Sequence, residues 1–333
     1  MMHQDVRKQV LERWLAVQFP EQPYTLKPAS SDASFRRYFR LQVNDQSLIV
    51  MDAPPDKENC RPFVEISRTL VSSGVNAPQV LQQDLQEGIL ILDDLGDQQY
   101  LARLQEQNAD HLYRDAIQTL LRMQHIKAPL RFYDEELLRS EMRLFEQWYI
   151  GRHLGHTLSR QQTDALEDIY QLLVDNALEQ PQVFVHRDYH SRNLMITGTN
   201  NPGVLDFQDA VIGPVSYDLV SLLKDCYIAW PRAYLETWID YYLDKAWKQG
   251  ILDTLINRDL FIRWFDLIGV QRHLKVLGIF ARLYHRDDKP GYLNDLPRVL
   301  AYVKDACQRH QELAPLEEIL QSLMASSNEL SPS

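Results

Sequence analysis

Apolar residues recur at helical spacing in the first segment, where Val6, Val10, Leu11, Trp14 and Leu15 mark one face of a helix that runs toward Pro20. The period then changes. From Phe35 to Val43 the odd positions read Phe, Arg, Phe, Leu, Val, and the even ones are Arg36, Tyr38, Arg40 and Gln42. That two-residue alternation predicts a strand. Asn44 and Asp45 supply turn chemistry, and "SLIVMDA" follows as an apolar strand, predicting a hairpin. Residues 61–73 read as a helix with Pro62 in its first turn, Phe63, Ile66 and Leu70 on its buried face, and Gly74 as its stop. "APQVLQQD" and "EGILILDDLGD" predict two more strands, the second ending in Asp93, Asp94 and Gly96.

Beyond about residue 97 the pattern is mainly helical. Residues 182–207 interrupt it with short strands, "QVFVH", "NLMI" and "GVLDF", separated by polar turns. The expected class is therefore α+β with two lobes. Residues 1–95 would form a small β-rich lobe with one main helix, and residues 96–333 a larger helical lobe.

A chain of 333 residues is long enough for two such lobes, and its 45% apolar and 24% charged residues are those of a globular protein. Net charge is −11, which lacks the basic footprint of a general nucleic-acid binder. Local basic groups can still oppose that global sign and hold an anionic ligand. The three scattered cysteines, Cys60, Cys226 and Cys307, contain no CxxC and suit a reducing compartment rather than a disulfide framework. The charged N-terminal "MMHQDVRKQVLERWLAV" is unlike a signal peptide, and no apolar run is long enough to span a bilayer. A cytoplasmic location is expected, with no nucleic acid, membrane or protein partner implied.

The densest chemistry is "VFVHRDYHSRNLMI", which places His186, Asp188, His190 and Asn193 in one polar stretch between apolar runs. Asp206 lies thirteen positions beyond Asn193, at the end of an apolar strand. Phosphoryl transfer asks for this set: one carboxylate to orient an acceptor hydroxyl and take its proton, and an amide with a second carboxylate to hold Mg²⁺ against ATP phosphates. Mg²⁺ accepts a sparse pair of hard oxygen ligands because it keeps several waters. A zinc site built on His186, Asp188 and His190 is the competing reading, since alternate strand residues share a face. It lacks a further partner at zinc-like spacing.

"HRDYHSRN" with "LDFQDAVIGPVSYDL" resembles the catalytic and metal-binding segments of the protein-kinase-like superfamily. The continuation through Asp209 to "YDL" at Asp218, with no A-P-E segment, is closer to its aminoglycoside phosphotransferase and choline kinase branch. "SSDASFRRYFRL", "MDAPPDKENCRPFV" and "GVQRHLKVLGIFARLYHRDDKPGYLNDLPRV" resemble, more narrowly, bacterial sugar 1-kinases acting on N-acetylmuramate and N-acetylglucosamine in cell-wall recycling. The resemblance implies a bilobal protein-kinase-like fold, ATP and Mg²⁺ as cofactors, and a small amino sugar as acceptor. An aminoglycoside or amino-alcohol kinase, or a non-catalytic nucleotide-binding pseudokinase, are the alternatives.

Carried onto this chain, the resemblance makes Asp188 the catalytic base and Asn193 and Asp206 the metal ligands. His186 would hydrogen-bond backbone beneath the loop, and Asp218 would cap and brace the following helix. Glu65 stands where the small lobe's helix offers a glutamate, and the backbone of Leu92, Asp93, Asp94 and Leu95 would meet adenine. His190, Arg192, Asp209, His273, Lys275 and Arg282 are candidate acceptor contacts. A solvated helix face is the blander account of His273, Lys275 and Arg282. Trp230 and Tyr234 read as helical core before they read as a sugar platform.

Two positions depart from the family pattern. The phosphate loop is "SSDASF", without glycine, so backbone N–H groups around Ser31, Asp32 and Ser34 would have to cradle phosphate. Met51 stands where the phosphate-pairing lysine is expected. Arg36 and Arg37, then Lys57, are the candidate replacements. Strand alternation sends Arg36 and Arg37 to opposite faces, so at most one reaches the nucleotide.

Overall fold

A computed structural model describes residues 6–31 and 35–329 of the chain. Helix α1 (Val6–Gln18) precedes β1 (Tyr24–Ser31), β2 (Arg37–Val43) and β3 (Gln46–Asp52), and α2 (Arg61–Ser72), β4 (Val80–Asp84) and β5 (Ile89–Asp93) follow. Then come α3 (Tyr100–Arg103), α4 (Glu106–Gln124), α5 (Glu135–Leu144), a π-helical stretch (Phe145–His153) and α6 (Arg160–Leu178). Four short strands, β6 (Gln182–Val185), β7 (Leu194–Met195), β8 (Gly203–Val204) and β9 (Val211–Pro214), lead into α7 (Tyr217–Leu223). The chain continues through α8 (Arg232–Lys248), α9 (Arg258–Asp287), α10 (Leu296–Arg309) and α11 (Ala314–Glu329).

These elements form two compact units. Met1–Tyr100 groups with Asn193–Asp209, and Leu101–Arg192 with Ala210–Ser333. The division expected near residue 95 leaves out this grouping of 193–209 with the sheet.

In the first unit five antiparallel strands stand in the order β1-β2-β3-β5-β4. Residues opposite each other in adjacent strands share a face. Phe39 and Val50 therefore lie on one side with Leu41 and Leu48, and α1 covers that side through Leu11 and Leu15. The other side carries Tyr38, Met51 and Leu90 in one row and Arg40, Ile49 and Leu92 in the next. The hairpin turn falls at Asn44, whose φ of +52° suits asparagine, and α2 stops before Gly74 at φ +77°. Strand β1 was not expected from sequence, because Pro28 interrupts its alternation. It occupies a sheet edge, where a missing N–H is tolerated, and its register shifts between Pro28 and Ser30.

In the second unit α9 is the organising element. It runs for 30 residues, and from Trp264 to Gly278 every residue is buried, including Asp266, Gln271, Arg272, His273 and Lys275. The π-helical stretch, α5, α6, α7 and α10 pack around it. Gly278 permits the closest approach: a Cβ there would stand 2.3 Å from the backbone carbon of Leu144. Strand β9, also unexpected, pairs antiparallel with β6. Cys60, Cys226 and Cys307 are all buried free thiols, and burial pushes Cys226 and Cys307 up to about 12. Among the described residues no helix is long and apolar enough to cross a membrane.

Candidate active site

Asp188 follows β6 in the second unit, on a loop whose backbone is held from two sides. The buried Asp218 carboxylate accepts hydrogen bonds from the N–H groups of His186 (2.7 Å) and Arg187 (3.0 Å). This corrects its expected role as a helix cap. Ser216 is the cap of α7, and Asp218 lies inside the first turn with its side chain turned to the loop. Burial pushes the Asp218 carboxyl up to about 6, against the opposing pull of His186 and those two N–H bonds. The fully buried His186 accepts the Asp188 N–H through Nδ1 at 3.2 Å. Arg187 adopts φ +77°, a region that side chains rarely occupy. Its guanidinium binds Glu141, which also takes Lys275 Nζ at 3.0 Å and the Tyr133 hydroxyl.

The Asp188 side chain stays 38% exposed and has Arg272 Nη1 at 3.7 Å. Desolvation would raise its carboxyl, but Lys275, Arg272, His190 and Arg187 together hold it far below the usual carboxylate range. Two residues on, His190 meets the Tyr227 ring edge-on at 5.3 Å, and among the described residues its buried Nδ1 has no hydrogen-bond partner. The guanidinium of Arg192 lies 3.7 Å above the same ring and 6.0 Å from Tyr292. Between them Ser191 is fixed by Asp225 through both its N–H (2.9 Å) and its hydroxyl (2.5 Å).

Two acceptor candidates on α9 are committed elsewhere. His273 donates from Nε2 to the Lys224 carbonyl at 3.0 Å and stacks on Tyr302, and burial pushes it down to about 3. Lys275 is buried against Glu141. The expected solvated face is overturned for both, because a helix packed on all sides has no such face. Arg282 is half-buried. Trp230 donates to the Tyr113 hydroxyl at 2.8 Å, and Tyr234 stacks on Trp238, so both belong to an aromatic cluster of α4 and α8.

In the first unit Asn193 and Asp206 come together. The Leu205 N–H donates to the Asn193 carbonyl at 2.9 Å, and Asn193 Nδ2 lies 3.5 Å from Asp206 Oδ2. Asp206 adopts φ +61° and its carboxylate is 40% exposed. Gln208 Nε2 bridges Asp206 and the exposed Asp209 at 2.8 and 3.3 Å. Phe207 packs on Phe63 of α2 with ring centroids 4.8 Å apart. An amide and a half-open carboxylate side by side are hard oxygen donors of the kind that Mg²⁺ prefers. Among the described residues no group of three His, Cys, Asp or Glu stands together as a metal cluster.

The two arginines do separate. Arg37 turns to the α1 face and donates from Nε to the buried Asp52 at 3.0 Å, beside Arg7 at 2.7 Å. Arg36 turns the other way, with Nη2 3.0 Å from Glu58 and Nη1 3.9 Å from Asp206. Met51 is fully buried. Lys57 lies 5.8 Å from the Phe35 ring and 3.9 Å from Asp56. Glu65 is exposed on α2, and Glu58 is the glutamate that meets a cation here. Leu92 is buried in β5, and Leu95 is half-buried. Asp93 accepts the Gln79 N–H at 2.6 Å, and Asp94 takes Arg40 Nε at 2.7 Å with the Gly96 N–H at 2.9 Å. Ser31 is described in its backbone alone, and Asp32 and Ser34 lie outside the described residues.

Sequence reasoning passed over Glu58, Glu141, Asp225 and Arg272. Glu58 sits in the aperiodic turn "PPDKEN", which offers no pattern to read. Arg272 had a usable signal: apolar residues surround all faces of the α9 sequence, so its charges had to be buried and paired.

A model of the phosphotransferase enzyme family matches residues 25–251. A Pseudomonas putida protein named N-acetylmuramate/N-acetylglucosamine kinase is 50% identical, over 98% of this chain and 99% of its own. A Pseudomonas aeruginosa protein of the same name is 49% identical, over 97% and 98% respectively. Among solved structures, the choline kinase LicA from Streptococcus pneumoniae superposes with a TM-score of 0.63 at 10% identity, over 90% of this chain and all of that one. The bilobal kinase-like fold is thus shared well beyond recognisable sequence, and the chain belongs to the phosphotransferase enzyme family.

Proposed function

We propose that the chain is an ATP- and Mg²⁺-dependent kinase that phosphorylates the anomeric hydroxyl of N-acetylmuramate or N-acetylglucosamine, yielding the sugar 1-phosphate for cell-wall recycling. What carries this reading is half-identity, over essentially the whole chain, to relatives named for that kinase activity. The aminoglycoside and pseudokinase alternatives have no support of that strength. The pseudokinase reading also leaves Asp188, Asn193 and Asp206 without a purpose.

In this reading the acceptor hydroxyl hydrogen-bonds to the Asp188 carboxylate. Its oxygen attacks the γ-phosphorus as the bond to the β-phosphate oxygen breaks, ADP departs, and the hydroxyl proton passes to Asp188 late in the transfer. Asn193 and Asp206 would hold Mg²⁺, which supplies positive charge against the nucleotide phosphates. Arg36 offsets further phosphate charge in place of the lysine missing at Met51. Backbone N–H groups around Ser31, Asp32 and Ser34 approach phosphate, and the Leu92–Leu95 backbone meets adenine. His190 and Arg192 contact the acceptor. Mg-ATP turnover with N-acetylglucosamine, N-acetylmuramate, kanamycin, choline and a generic peptide tests the assignment by ADP release. Release is expected with the amino sugars alone; kanamycin or choline as the better acceptor, or no release at all, would overturn it.

A further inference from the structure

Arg272 has no part in the assignments above, yet its setting is unusual. It is 2% exposed, with Nη1 3.2 Å from the Arg187 carbonyl and 3.7 Å from Asp188 Oδ1. The guanidinium carbon lies 5.8 Å from the centre of the Tyr217 ring, and among the described residues Nε has no hydrogen-bond partner. Burying a guanidinium with part of its donor set unmet costs free energy that an apolar side chain on α9 would avoid. If packing were the only demand, methionine or leucine would serve better.

Three cations, Arg187, Arg272 and Lys275, stand near two carboxylates, Glu141 and Asp188. Glu141 binds Arg187 and Lys275 directly. Lys275 is the strongest electrostatic influence on Asp188, but its ammonium is spent on a contact with Glu141. Arg272 brings Nη1 to 3.7 Å from the Asp188 carboxylate. Among the described residues, His190 and Arg187 from its own loop and Cys226 beyond α7 are further titratable groups coupled to that carboxylate.

We propose that Arg272 is a positioning residue for Asp188: anchored on the Arg187 carbonyl, its guanidinium fixes the orientation and the negative charge of the carboxylate that receives the acceptor hydroxyl. This rests on the assignment of Asp188 above. It also fits the acceptor chemistry. A carboxylate held so firmly ionised is a weak base, and an anomeric hydroxyl, acidified by the adjacent ring oxygen, asks less of its base than an ordinary alcohol.

Arg272→Met keeps the stem and removes the charge, and Arg272→Lys keeps the charge. Both are compared with the wild type by kcat, the two Michaelis constants and melting temperature across pH 5 to 9. Arg272→Met is expected to lower kcat by about 10- to 100-fold, the range that small misplacement of a reacting group produces. KM for ATP should stay within about twofold, since the change lies in orientation of the base rather than in nucleotide contacts. The acid limb of kcat/KM should begin at higher pH in Arg272→Met than in the wild type, because burial raises the Asp188 carboxyl once a neighbouring cation is removed. Arg272→Lys should restore the wild-type profile and much of kcat.

A loss equal at every pH, activity close to wild type in Arg272→Met, or no recovery in Arg272→Lys would each overturn the proposal. If Arg272→Met melts below the assay temperature, Arg272→Lys decides alone, and an acid limb that begins at higher pH than in the wild type counts against it. All ratios are taken with whichever acceptor the wild type phosphorylates. A wrong sugar assignment therefore shows in the wild type, separately from the Arg272 comparison.

Discussion

The Arg36 guanidinium lies 3.9 Å from the Asp206 carboxylate, with Glu58 holding its other side at 3.0 Å. A cation is thereby tied to the proposed metal-binding carboxylate in a chain whose β3 offers only the buried Met51. Arg36→Ala should raise KM for ATP about tenfold, the loss of one charge-assisted phosphate contact. Arg37→Ala should leave that constant near wild type and lower stability by about 1–3 kcal/mol, because it strips a partner from buried Asp52. Initial rates over ATP concentration and thermal melts separate the two. Equal effects of both substitutions on KM would contradict the division of faces.

Asp188→Ala should cut kcat by about 10²–10⁴, the span typical of a lost proton acceptor. Calorimetric titration with ADP should find binding nearly unchanged. A variant with wild-type turnover would remove Asp188 from the mechanism.

Arg192 presents a planar donor fork above Tyr227, the geometry that reads a carboxylate. N-acetylmuramate carries a lactyl carboxylate and N-acetylglucosamine does not. Arg192→Gln should raise KM for the former about tenfold, roughly the value of one ionic hydrogen bond. The latter should change little. A parallel rise for both sugars would mean that Arg192 contacts a part that they share.

Asp266 is wholly buried and serves Lys224 at 2.9 Å, Arg309 at 3.0 Å and His310 at 3.0 Å. Desolvation would raise its carboxyl, but these partners hold it far below the ordinary range. A carboxyl depressed by folding contributes stability above its unfolded pKa, and that contribution is lost as pH falls toward the folded value. Asp266→Asn should cost about 3–5 kcal/mol near neutrality, the penalty for stranding a buried cation. The gap from wild type should narrow below about pH 4, where the unfolded carboxyl takes up its proton. Melts at several pH values check both points, and a pH-independent gap would argue against this linkage.

Gly278→Ala should be strongly destabilising, because the new methyl would meet Leu144 backbone rather than a movable side chain. About 1–3 kcal/mol is usual for overpacking, and the rigid neighbour favours the upper end. Chemical denaturation of the purified variant measures it.

Where side-chain pattern and local chemistry coincide, the sequence was informative. Val10, Trp14 and Leu15 mark α1, the alternation of residues 35–43 gives β2 and its two faces, and the spacing of Asp188, Asn193 and Asp206 singles out the catalytic and metal candidates. Strands β1 and β9 were hidden because Pro28 interrupts the first, and the second is four residues long and ends in Gly213 and Pro214, so neither shows a period. The companions of Asp188 were hidden for another reason. Glu141, Asp218 and Arg272 come from α5, α7 and α9, and only tertiary packing gathers them around one loop.

Every cysteine of the chain is buried, and burial raises each thiol above its usual pKa. Thiolate is the species that alkylating dyes attack, so the native protein should be nearly silent to maleimides. A reporter fluorophore can then be placed on a single introduced surface cysteine without first replacing Cys60, Cys226 or Cys307.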